Sequence, residues 1–213
     1  MMEASRPTAP TLLLRPWTVA DAVALREAID EDLDHLKPWL NWTLSEPATL
    51  DQTRVRLQGY VDRFRSGEAF YYAVTPLDRP AVILGGAHLA CRVGPAAHDV
   101  GYWVRKSAAR QGIASAAVAA LAVHAFSERL VERLVIQCDV ANHASATMAR
   151  ALGFLFVDSA TVAYVDGTPR PVHRFEMAGD AYHLHAPKLR ERARRVRLVT
   201  DPAPDPVEDG TGE

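Results

Sequence analysis

The chain has 213 residues, 48% of them hydrophobic and 23% charged, with a formal net charge of −2. That leaves room for one full domain with a core, and the near-neutral balance excludes a general electrostatic attraction to nucleic acid or anionic membranes. No apolar run reaches the ~20 residues of a membrane span, and Cys91 and Cys138, each inside an apolar run, read as buried thiols of a cytoplasmic protein, not as a disulfide framework.

In chain order, residues 1–10 (MMEASRPTAP) lack the apolar centre of a signal peptide and read as a disordered leader. Residues 11–15 (TLLLR) form a first strand that Pro16 should stop. Thr18 or Asp21 then caps a helix to about Asp32, with Val19, Ala22, Val23, Leu25, Ala28 and Ile29 as its apolar stripe. Residues 33–47 set Trp39 and Trp42 among two prolines, which suits an aromatic-lined lid better than a regular helix. A second amphipathic helix over 50–66 closes at Gly67. Strands follow at 69–75, 81–91 and 97–104. Next come a helix over about 112–128, a strand at 133–138 and a helix over 143–152 ended by Gly153. Strands 154–165 and 170–178 flank the turn signal Asp166-Gly167.

Residues 180–199 carry six Lys/Arg against two acids, and residues 201–213 carry five acids with three prolines and two glycines. The first stretch reads as a solvated basic helix, partly neutralised by a disordered acidic tail. The expected organisation is a domain over 11–180, a basic helical extension over 181–199 and a tail over 200–213. The order of elements predicts an α/β (α+β) mixed sheet with helices on both faces, and names no activity by itself.

Chemistry concentrates first in 101–115 (GYWVRKSAARQGIAS), where a strand ends, a loop follows and a long helix begins. Gly112 and Ala114 let the backbone approach a ligand closely. A helix starting there aims unpaired N–H groups and its positive dipole end at a phosphate or pyrophosphate, and Arg110 adds a charge. Alone, the same residues also fit a plain strand-to-helix turn, and they are not the G-x-G-x-x-G of dinucleotide folds. In the second segment, 133–154, Asn142 is followed three residues later by Ser145; alone, that is also an ordinary helix cap.

Together, in this order, the two segments resemble the GNAT N-acetyltransferases, and in detail the RimJ/RimL branch (the ribosomal-protein alanine/serine N-acetyltransferase type). The family's Q/R-x-x-G-x-G/A loop falls on Ala109-Arg110-Gln111-Gly112-Ile113-Ala114, with Ala109 departing from the usual first residue. Gly101-Tyr102-Trp103-Val104, the N-x-x-S…G-F segment and Leu36-Lys37-Pro38-Trp39-Leu40-Asn41-Trp42 match the branch, so the likeness covers about residues 11–178. It implies a GNAT fold: a mixed, mostly antiparallel sheet whose two parallel strands, 97–104 and 133–138, splay apart. It implies acetyl-CoA as cosubstrate and no metal.

By the same resemblance, backbone groups of Tyr102 and Val104, with Trp103 between them, bond the pantetheine arm. The Val104 N–H faces the thioester oxygen and stabilises the oxyanion. The amides of Arg110, Gln111, Gly112, Ile113, Ala114 and Ser115 hold the pyrophosphate, and Asn142 reaches the pantetheine. Ser145 returns a proton to the leaving thiolate; other branches use a Tyr seven residues after the Asn, where this chain has Ala149.

For the base that takes the amine's proton, Asp99 ranks ahead of His98 and His88. Trp39, Trp42 and His88 are candidates for the acceptor wall, each with a purely structural alternative. The preferred acceptor is a protein or peptide N-terminal amine, since an α-amine of pKa near ~8 needs little help and a lysine near ~10.4 needs more. A small amine (amino acid, polyamine or aminoglycoside) is the alternative, favoured by Asp30, Glu31, Asp32, Asp34 and Glu46 around the lid. A non-catalytic CoA-binding module is the alternative of another class. The basic residues of 188–197 suggest RNA or ribosome contact less strongly than a solvated helix. His183 and His185 lack partners at metal spacing. A monomer and a homodimer both fit.

Overall fold

A computed structural model describes residues 11–90, 96–128 and 131–202. The expected leader 1–10, Cys91 and tail residues 203–213 lie outside the described residues. The described chain builds one mixed sheet with helices on both faces. Its elements are β1 (Leu12–Pro16), α1 (Ala22–Leu36), α2 (Leu50–Ser66), β2 (Ala69–Pro76), β3 (Gly85–Ala90), β4 (Ala97–Val104) and α3 (Ile113–Ser127). They continue with β5 (Arg133–Asp139), α4 (His143–Leu152), β6 (Leu155–Ala163), β7 (Pro169–Ala178), α5 (Gly179–Ala193) and β8 (Val196–Leu198). The strand order is β6-β7-β5-β4-β3-β2-β1-β8, with β4–β5 and β1–β8 parallel and the other neighbours antiparallel.

Local chemistry sets several boundaries. Thr49 and Gln52 form a reciprocal capping box that starts α2, and Gly67 closes it. Asn142 accepts from the Ser145 N–H at 3.0 Å to start α4. Two expectations need adjusting. Helix α1 runs past Asp32 to Leu36, because Leu33 and Leu36 continue the stripe of Leu25 and Ile29 and no breaker intervenes before Pro38. Strand β3 begins at Gly85, not at 81, because the Val82 N–H still bonds back to the Arg79 carbonyl in a turn.

The sheet separates two cores. Trp17, Leu25, Ile29, Leu57 and Tyr71 pack between the sheet and α1 and α2. On the other face, α3 is buried at Ile113, at every residue from Ala116 to Ala122 and at Ala125. A helix apolar all round must be covered on both sides, and α5 supplies the second cover. Tyr182 stacks on Phe126 with centroids 4.5 Å apart, while Ala186 and Leu189 are buried in the same core. Residues 180–199 keep the solvated basic face expected from their charge, with Lys188, Arg190, Arg192, Arg194 and Arg197 exposed, but the opposite face is buried and the segment is not a separate extension. They pack on α3 and then join the sheet, where the Leu12 N–H donates to the Arg195 carbonyl at 2.7 Å.

The parallel pairing of β4 and β5 spans only Ala97–Asp99 against Arg133–Val135. Beyond it the two strands part, and their facing backbone groups have no ladder to join.

Candidate functional site

Three features meet at the parted strands: a loop at the start of α3, a polar cluster on one face of β4 and an aromatic cavity on the other. In the loop, Arg110 (φ 62°) and Gly112 (φ 71°) both lie in the left-handed region. For a non-glycine residue that conformation costs about 1–3 kcal/mol and persists only where its surroundings demand it. Alternating left- and right-handed residues turn successive N–H groups towards one point, an anion-binding concavity. The helix's first internal bond is Ala116 N–H to the Gly112 carbonyl at 3.0 Å, so the amides before it are offered outward. Ile113 is buried and can contribute only its amide; Ala114 is half-buried. The Gln111 side chain donates to the Ser107 carbonyl at 3.1 Å, and the Ser115 hydroxyl accepts from Arg192 at 3.1 Å.

Strand β4 distributes its residues to both faces. The Arg105 N–H bonds the carbonyl of Leu84, the residue just before β3, at 2.8 Å. Bonded and non-bonded pairs alternate along an antiparallel ladder, so the N–H groups of Val104 and Tyr102 turn to the gap beside β5. On the α3 face, the Tyr102 hydroxyl lies 2.6 Å from Ser145 Oγ. Burial pushes the Tyr102 hydroxyl up to about 12, the Ser145 hydrogen bond offsetting part of the shift, so the phenol keeps its proton. Burial likewise raises the Cys138 thiol, with Ser145 pulling the other way. Asn142 spends its carbonyl oxygen on the α4 cap, leaving its amide nitrogen as the group to present.

On the opposite face a cavity of about 360 Å³ opens. Trp17, Trp42, Tyr60, Tyr71 and Trp103 wall it, and His88, Arg56 and Arg63 are its charged or titratable lining. Trp103 meets Trp42 edge-on, centroids 6.2 Å apart, so its side chain serves this cavity, while its backbone carbonyl faces β3 at Gly85. His88 Nε2 pairs with Asp99 Oδ2 at 3.0 Å. A Cβ on Gly101 would lie 2.0 Å from the His88 ring, so glycine there is what lets the imidazole lie across the strand.

The expected site residues are thus sorted. Ser145, Tyr102, Asn142 and Val104 gather on the side of the gap; His88 and Trp42 line the cavity. Asp99 stands behind His88 and not at the cavity surface. His98 is buried on the opposite side of β4 from Asp99, and burial lowers its pKa. Trp39 sits outside the cavity on the turn after α1, because the helix extends further than its stripe suggested. Of the carboxylates near the lid, Asp30 and Glu46 pair with Arg26, Glu46 also with Arg56, and Glu31 and Asp32 with Arg105. Tyr60, Tyr71, Arg56 and Arg63 were not anticipated; the register of strands and helices, invisible in any single segment, brings them in. Among the described residues no group of three His, Cys, Asp or Glu is placed to hold a metal, and no helix is long and apolar enough to cross a membrane.

The sequence matches the acetyltransferase (GNAT) domain family over residues 11–155. Among solved structures, the chain is similar to RimL, a ribosomal L7/L12 α-N-protein acetyltransferase, in complex with coenzyme A through a cysteine disulfide. The identity is 27% and the TM-score 0.72, over 82% of this chain and 98% of that one. An acetyltransferase from Salmonella typhimurium that modifies the N-terminal serine of 50S ribosomal subunit protein L7/L12 is 26% identical, TM-score 0.69, over 79% and 95% of the two chains. Mycobacterium smegmatis RimJ with a CoA disulfide, 21% identical at TM-score 0.70 over 85% and 88%, speaks to the fold alone. No curated protein sequence matches the chain.

Proposed function

Because the chain belongs to the GNAT acetyltransferase family, an acyltransferase fold that uses coenzyme A, we propose that it transfers acetyl to the α-amine at the N-terminus of a protein or peptide. The observation that carries this reading is the charge of the cavity. Its lining holds His88, Arg56 and Arg63 and no carboxylate, and four of the five acids around the lid are already paired with arginines. A polyamine or aminoglycoside needs unpaired carboxylates for its additional ammonium groups; a peptide end brings one amine and a neutral or acidic chain. The names of the RimL relatives point to the same class of acceptor.

In the proposed reaction His88, oriented by Asp99, takes a proton from the incoming ammonium group. The α-amine's pKa near ~8 keeps the demand on that base small. The amine nitrogen then forms a bond to the acetyl carbon while the Val104 N–H stabilises the oxyanion; as the carbon–sulfur bond breaks, the nitrogen loses its second proton to solvent, leaving the amide. Ser145, backed by the protonated Tyr102, returns a proton to the thiolate. The loop at 110–115 anchors the pyrophosphate. The domain boundary at residue 180 is not a functional one in this reading, since α5 covers α3.

The test is thiol release from acetyl-CoA with two acceptor panels. Release with Ala- or Ser-led peptides supports the proposal, and release only with polyamines or amino sugars overturns it. Ser145→Ala should lower kcat by about a hundredfold with little change in acetyl-CoA binding.

A further inference from the structure

The basic residues at the end of α5 do not all face solvent. Arg192 Nη1 donates to Ser115 Oγ at 3.1 Å, and Arg195 Nη2 donates to the Gln111 carbonyl at 3.0 Å. Both acceptors belong to the loop that opens α3. The two arginines border a cavity of about 400 Å³ against Gly112, Ser115 and Ala116. Of the other charged residues there, Arg194 and Glu191 pair with each other at 3.0 Å. Arg192 and Arg195 are left as the cations with no carboxylate partner among the described residues.

A second observation points the same way. The remaining terminal nitrogen of Arg195, Nη1, is buried and has no hydrogen-bond partner among the described residues. A guanidinium is always charged and presents its donors in a rigid fork suited to phosphate oxygens, and a buried donor without an acceptor is costly. The loop that accepts from both arginines is the one shaped by the left-handed Arg110 and Gly112. Main-chain dipoles come from one segment and fixed charges from another, about eighty residues later in the chain.

Resting on the reading of residues 110–115 as the coenzyme's phosphate loop, we infer that Arg192 and Arg195 bind a phosphate group of coenzyme A and form the second wall of that site. The family match ends at residue 155, so neither arginine belongs to the matched domain. The shared chemistry is a phosphate dianion or diester, and the coenzyme offers it twice, as its pyrophosphate and as its ribose 3′-phosphate.

Isothermal titration of the full chain with coenzyme A, dephospho-coenzyme A and phosphate-free pantetheine tests this without turnover. Arg192→Ala and Arg195→Ala should each weaken coenzyme A binding by roughly tenfold, with a shallower dependence on salt. Arg192→Lys, which keeps the charge, should recover part of the loss. If the 3′-phosphate is the group bound, dephospho-coenzyme A loses affinity for the native protein and is indifferent to the substitutions. If the pyrophosphate is bound, both coenzymes weaken together. Pantetheine should bind native and substituted proteins alike. Native affinity for coenzyme A in both alanine variants overturns the inference and leaves the phosphate loop standing, as does an equal loss for pantetheine, which would make the arginines a brace for the fold. Failure of the native protein to bind coenzyme A at all overturns the loop reading and this inference with it.

Discussion

The loop at 110–115 and the cavity around His88 are built on opposite principles. The loop is contiguous, made of main chain and small side chains, and its shape comes from two left-handed residues. The cavity gathers Trp17, Trp42, Tyr60, Tyr71, His88 and Trp103 from separate turns, helices and strands, and its shape comes from packed rings. A main-chain site demands particular residue types at fixed spacing, so it marks the sequence. A side-chain site demands only that large residues arrive together, which tertiary structure arranges. In the proposed function the difference also divides labour: one region would hold what carries phosphates, the other would select what is acetylated.

That separation can be broken by experiment. His88→Ala should lower kcat by about a hundredfold or more while coenzyme A titrates with native affinity; weakening of both would merge the two regions. Gly112→Val places a β-branched residue at φ 71° with Arg195 Nη2 only 3.3 Å from the new Cβ. It should weaken coenzyme A by about tenfold and leave the acceptor KM untouched in steady-state kinetics. Trp42→Ala should raise the acceptor KM several-fold, roughly the loss of one aromatic contact, whereas Trp39→Ala, outside the cavity, should not move it.

Glu46 offers the smallest and most pH-specific effect. Burial pushes its carboxyl up, but hydrogen bonds from Arg26 and Arg56 outweigh that and hold it below the usual range. A carboxylate depressed in the folded state stabilises above its unfolded pKa, and that stability is lost as pH falls through the folded value. Glu46→Gln should therefore lower Tm at neutral pH by a few degrees, for a loss of about 1–2 kcal/mol, with the gap to the native protein closing in acid. A gap that persists in acid would mean that packing, not charge, holds Arg56 at the cavity wall.

The fold was legible where local chemistry decides. The capping box at Thr49 and Gln52, the Asn142 cap and the closing Gly67 and Gly153 mark α2 and α4 in the chain itself. It was illegible where distant partners decide. Counting charge over 180–199 hid the stripe Tyr182, Ala186, Leu189, spaced by four and three, which is a helix's apolar face. The warning lay elsewhere, in α3, whose apolar residues run round the helix from Ala116 to Ala122 and demanded a cover. Asp99 drew attention as an acid at a strand end, yet the antiparallel register sets His88 opposite Gly101 and brings the imidazole over the strand. Nothing in either strand alone states that register.

The pairing of β8 with β1 has a consequence for how the chain assembles. Leu12 and Val196 are neighbours in the sheet, so one flank of the first strand stays bare until nearly the whole chain has been made. A bare strand flank invites pairing with another molecule, and contacts this distant in sequence form late in folding. The step that seals the flank is the same step that carries Arg192 and Arg195 to the head of α3. A nascent chain would thus lose one open strand flank and bring its arginines to the loop before α3 in one event.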